Sequence, residues 1–208
     1  MKTRIISLFV LCIAGTSLAT WANPALRPTL AQMNAARTAD QWQNVASQLS
    51  RLSDQSPNEW LPAYWATYAY ITASFRAGDN ADDLLDRAEP YYERVIRLQP
   101  QNDEVLVLQS YMAQARLAAK PMFRWMKYGP LSEKALQAAR QKNPANPRIP
   151  LLEGLALYHK PATFGGGPAS ACPLLQQSVQ KFATFKPTSD LHPNWGRDQI
   201  APLLAKCK

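Results

Sequence analysis

Four prolines recur along this chain at nearly constant intervals. Pro57, Pro100, Pro144 and Pro187 are separated by 43, 44 and 43 residues. Each closes a segment with the same internal spacing. Val45, Leu49 and Leu52 precede the first proline, Ala88, Tyr92 and Val95 the second, Ser132, Leu136 and Ala139 the third, and Leu175, Val179 and Phe182 the fourth. Steps of four and then three place each triplet on one face of an α-helix, and the proline five residues later stops that helix. Self-similarity at such a period is the signature of stacked helix pairs, none of which buries its apolar face without its neighbours. The expected fold is therefore all-α, a helical-hairpin repeat solenoid forming one domain over residues 23–208. Helices are predicted near 28–36, 39–54, 58–76, 80–98, 102–119, 130–143, 147–159, 168–184 and 197–206. No stretch sustains the period-two alternation of a half-buried strand, so no sheet is expected.

The small–bulky–small pattern before a terminal proline resembles the second helix of the tetratricopeptide repeat. Trp65 with Ala69, and then Ser110 and Gly154, fit the large and small positions of that family's first helix. The usual tetratricopeptide period is 34 residues; the excess here is expected in longer helices and turns, around 77–80, 120–130 and 160–168. Repeats of the HEAT kind, at about 40–47 residues, are the alternative. Asn58-Glu59-Trp60-Leu61-Pro62, Phe164-Gly165-Gly166-Gly167 and His192-Pro193-Asn194-Trp195-Gly196 resemble motifs of small secreted bacterial tetratricopeptide proteins. That resemblance implies a fold and a compartment, and it supplies no catalytic residues.

The N-terminus points to the same compartment. Lys2 and Arg4 precede an apolar run from Ile5 to about Ala19, short of the ~20 residues that span a bilayer, and small residues follow. This is the pattern of a secretory signal peptide over residues 1–22, cleaved after Ala22 or, second, after Ala19, with Cys12 discarded. An uncleaved anchor is the alternative. Cleavage removes Lys2 and Arg4 from a stretch without acids and lowers the net charge from +8 to +6. The remaining basic residues are dispersed, which argues against a nucleic-acid partner. In an oxidising compartment the remaining pair, Cys172 and Cys207, reads as a disulfide, with free thiols or a metal pair as alternatives. With His159 and His192 as the sole histidines, a zinc site is not expected.

The chemistry-bearing residues do not assemble into a catalytic pattern. Gly165–Gly167 precede a helix but lack the strand before and the lysine–serine pair after that a phosphate loop needs, so a tight turn is expected. Asp79, Asp82, Asp83 and Asp86 lack the spacing of a calcium loop and read as a solvated helix start. The segment Phe123–Tyr128 mixes apolar and basic residues; it is expected to be an inter-helix connection packed on the core, with contact to a membrane surface as the alternative. In the tetratricopeptide register the concave groove is lined by the first helix of each pair, which turns Tyr70, Tyr111 and Tyr158 inward with Gln114, Arg148 and His159 beside them. The functional expectation is a non-catalytic exported protein, without cofactor or metal, that takes a protein or peptide partner into this groove. A periplasmic small-molecule carrier, which needs an enclosed pocket, is the alternative.

Overall fold

The computed structural model describes residues 24–207. The predicted signal peptide, 1–22, lies outside the described residues. Among them there is no strand. The chain forms helices α1 (Leu26–Ala35), α2 (Ala39–Gln55), α3 (Trp60–Ser74), α4 (Ala81–Leu98), α5 (Asp103–Ala119), α6 (Pro121–Lys142), α7 (Arg148–His159), α8 (Pro168–Thr184) and α9 (Arg197–Leu204). Short 3₁₀ turns, Gly78–Asn80 and Ala162–Phe164, lead into α4 and α8.

Each recurring proline lies two or three residues past an even-numbered helix, so α2, α4, α6 and α8 are the second helices of the repeats. The first and last members of every triplet are buried. The middle position is less uniform: Leu49 and Leu136 are buried, whereas Val179 is 44% exposed on the last repeat, which has no following pair to cover it. Local signals set the helix starts. Thr38 and Gln41 form a reciprocal capping box at α2, and the Asn102 side chain accepts from the amides of Glu104 and Val105 at α5. Helix α3 sits at the centre, with every residue from Pro62 to Ser74 buried. At the small position of α7, a Cβ on Gly154 would lie 2.9 Å from Cδ2 of Leu175, so glycine is what lets α7 and α8 approach.

One element departs from expectation. Residues 121–130 are the first turns of α6 and not a loop. Pro121 occupies the first turn, where its missing N–H has no intrahelical role. Pro130 lies inside the helix, where it withholds a single bond from the carbonyl four residues earlier. Nor does the segment pack on the core: Met122, Phe123, Trp125 and Met126 are 61–84% exposed.

The cysteine expectation holds. Cys172 at the start of α8 is bonded to Cys207, with Cα atoms 5.8 Å apart and a sequence separation of 35. Closing a loop of this length stabilises the fold by about 3–4 kcal/mol on the chain-entropy account. Replacing both cysteines by serine is expected to lower the unfolding free energy by about that amount, read as an earlier urea midpoint, with a steeper slope because the unfolded chain is no longer cross-linked.

Candidate functional site

The concave side of the array is filled. After α8 the chain turns back along the first helices, and residues 185–196 lie over them. Trp195 is the centre of this strap. Its ring packs 4.8 Å from Tyr68 and 5.2 Å from Tyr111, and its Nε1 donates to the Tyr64 hydroxyl at 2.8 Å. Trp65 Nε1 donates to the Leu191 carbonyl at 2.8 Å, which fixes the strap's other end. Gly196, at φ 105°, makes the turn into α9; a Cβ there would sit 2.5 Å from Cδ2 of Leu151.

Beneath the strap lies a buried ion pair. Arg148 is fully buried. It donates from Nε to Glu104 at 2.8 Å and from Nη2 to the other carboxylate oxygen. The same guanidinium donates to the carbonyls of Pro193 (3.1 Å) and Trp195 (3.4 Å) and stacks 4.6 Å from the Phe185 ring. Asn146 donates to both Glu104 and Asp103. Burial pushes the Glu104 carboxyl up, against the opposing pull of Arg148. Arg148 therefore joins α5, α7 and the strap, and its charge is spent internally.

The six residues predicted for an open groove do not share one surface. Tyr70 is buried toward α4, where its hydroxyl accepts from Arg87 at 3.1 Å and its ring stacks on Tyr91. Tyr111 lies under Trp195, and burial pushes its hydroxyl up to about 12. Gln114 is half-buried and donates to Ser110, Ser132 and the Leu152 carbonyl, bridging α5, α6 and α7. Tyr158 and His159 meet edge-on at 5.2 Å near the end of α7, where His159 is exposed. Tyr111 and Arg148 meet around Trp195; the others lie apart from them.

The two best-formed cavities among the described residues are small for the enclosed pocket of a carrier. They lie beside Asp103, Lys186 and His192 and beside Gln32, Gln41 and Val45, and measure about 160 and 270 Å³. Ligand pockets usually measure ~300–1,000 Å³. His192 accepts or donates at Nδ1 to Ser189 Oγ at 2.7 Å, but Ser189 also accepts from the Leu191 amide, and the contact closes a local turn. Gly165 (φ 80°) and Gly167 (φ 101°) form the expected turn, and a Cβ on Gly166 would strike the Lys160 carbonyl. Among the described residues no cluster of three or more His, Cys, Asp or Glu side chains is placed to hold a metal ion, and no helix is long and apolar enough to cross a membrane.

What remains open is an edge of the array. The turns that follow α3, α5 and α7 lie on the same side, because the helices of each pair run antiparallel. Six of the eight exposed large apolar side chains among the described residues belong to these turns or follow them directly: Phe75 after α3, Met122, Phe123, Trp125 and Met126 after α5, and Phe164 after α7. Of the acids at the start of α4, Asp79 and Asp83 are exposed as expected of a solvated helix start, whereas Asp82 is tied down and anchors this edge. Asp82 accepts from both Nη atoms of Arg124 at 2.6 and 3.0 Å and pairs with Lys120 at 3.0 Å. The Arg124 hydrogen bonds, helped by Lys120, hold the Asp82 carboxyl at about 2, below its usual 3.8. A carboxyl with a depressed folded value stabilises the fold above its unfolded value and loses that contribution as pH falls. Asp82→Asn is accordingly expected to cost roughly 1 kcal/mol near neutral pH, allowing for solvent screening. The gap from wild type, followed by chemical denaturation, should close as pH drops from about 4 toward 2.

No protein-family model and no curated protein matches the chain. Among solved structures, the HusA haemophore from Porphyromonas gingivalis superposes with a TM-score of 0.76 at 32% sequence identity, over 88% of this chain and 91% of that one. The likeness is one of sequence as well as of shape: this chain belongs to the family of the HusA haemophore.

Proposed function

We propose that this protein is an exported, non-catalytic binder of a tetrapyrrole such as haem. Kinship with a haemophore over nearly the whole of both chains is the observation that carries the reading. The filled concave side supports a surface-bound ligand over a peptide laid in a groove, because Trp195 and the strap occupy the place the peptide would take. Export is supported by the signal-like N-terminus and the Cys172–Cys207 bridge. The helix pairs are of the tetratricopeptide kind; the prolines that end α2, α4, α6 and α8 and the small residues Ala69, Ser110 and Gly154 support that assignment.

Haemin titrated into the purified protein is expected to give a saturable change in the Soret band at one equivalent, with the porphyrin recovered chemically unchanged. Absence of saturable binding at micromolar protein would sink the reading. Conversion of haemin to another pigment would replace a carrier by an enzyme.

A further inference from the structure

We infer that the tetrapyrrole lies flat on the exposed face of the first turns of α6, over Met122, Phe123, Trp125 and Met126, with Lys127 receiving a carboxylate. This rests on the reading above and adds the place of binding.

The face is anomalous by the ordinary rules of helix exposure. A surface helix turns its apolar stripe inward and its polar residues outward. Here the order is reversed. At 3.6 residues per turn Met122, Met126 and Gly129 form one row, with Phe123 and Pro130 on one side and Trp125 on the other. Four of these side chains are 61–84% exposed. The inward positions are Arg124, held by Asp82, and the half-buried Tyr128. From Met122 to Pro130 the strip is about 12 Å long at 1.5 Å per residue, enough to back a flat macrocycle. Phe75 and Phe164 extend the apolar edge beyond it. Rings and thioethers are suited to a π-face.

Charge selects the occupant. Residues 118–132 contain Lys120, Arg124 and Lys127 and no acid. Lys120 and Arg124 are tied down to Asp82. Lys127 makes no ion pair among the described residues; its ammonium rests 5.0 Å from the Tyr128 ring centre, beside Phe123. An anionic membrane surface is recognised by clusters of ~4–8 free basic residues, and one unpaired lysine at the border of an apolar strip falls short of that. A flat apolar ring with carboxylates on its rim matches it. The thioethers of Met122 and Met126 are also the kind of group that can approach haem iron.

The test is haemin titration of four proteins, followed by absorbance and by tryptophan emission. Phe123→Ser with Met126→Ser removes two exposed side chains, so the fold and melting temperature should be unchanged. Affinity should fall roughly a hundredfold, as expected for losing much of two apolar contacts. Lys127→Glu should weaken binding about tenfold and more at low salt. Val179→Ser, exposed elsewhere, should bind as wild type. Wild-type binding with the double variant within about twofold of it would overturn this site and leave the haem reading intact. No haemin binding by wild type would overturn both. Co-sedimentation of wild type with phosphatidylglycerol vesicles, lost in the double variant and unaffected by haemin, would assign the face to a membrane and overturn the proposal, as would dimerisation through the same residues that haemin fails to disperse.

Discussion

Replacing Arg148 by methionine is expected to lower the unfolding free energy by about 3–5 kcal/mol, the range for breaking a buried ion pair from one side. The loss has two parts. Glu104, nearly fully buried, keeps its Asn146 bond but loses the charge that balances it. The strap loses both carbonyl contacts and the cation over Phe185. The variant carries its own signature. With the guanidinium gone, burial pushes the Glu104 carboxyl further up, and an acid whose folded value is raised makes the fold less stable as pH rises through that value. Denaturation of Arg148→Met should therefore show stability falling between mildly acid and alkaline pH, where wild type is flatter. Adding Glu104→Gln should recover part of the loss and remove the pH dependence. A loss below 1 kcal/mol, with no pH dependence, would mean that the pair does not anchor the strap.

Trp195→Ala is expected to cost a similar amount, about 3–5 kcal/mol, for a different reason. The large ring is removed from contact with Tyr68 and Tyr111, and the surrounding helices are too well tied to close the space. The Tyr64 hydroxyl, fully buried, loses the indole N–H as partner. Trp195→Phe keeps most of the ring contact and loses the hydrogen bond, so it should cost about 1–2 kcal/mol. Urea denaturation followed by circular dichroism orders the three proteins. Equal losses in the alanine and phenylalanine variants would place the energy in the hydrogen bond and not in packing.

These effects concern a segment that the sequence conceals. Helix positions follow from chemistry visible in the chain: the prolines past α2, α4, α6 and α8 end those helices, and triplets such as Leu175, Val179 and Phe182 have helical spacing. The disulfide follows from two cysteines in an exported context. The strap follows from neither. Residues 185–196 have no period, because their side chains are held one by one, Leu191 by Trp65 and Trp195 by Tyr64, through contacts 126 and 131 residues apart. Tyr111 and Arg148 are therefore already engaged where the helical register predicts an open groove. A lone arginine among Ile149, Pro150, Leu151 and Leu152 was the one available sign of a buried charge. The start of α6 misled for the opposite reason. Pro121 and Pro130 look like breaks, yet one sits in the first turn and the other costs a single backbone bond, so the intervening apolar residues stand on a helix and face solvent.

The molecule has a concave side closed by its own C-terminal strap and an open apolar edge, the proposed place of the ligand. Amide spectra of the ¹⁵N-labelled protein during haemin titration test that division most directly, since the paramagnetic iron broadens signals close to it. Binding at the edge should selectively remove the amide signals of residues 121–131 up to one equivalent, with those of Tyr68, Tyr111 and 191–196 retained. Early loss of the Tyr111 and Trp195 amides, with those of α6 unchanged, would contradict it and show that the strap opens to admit the ligand.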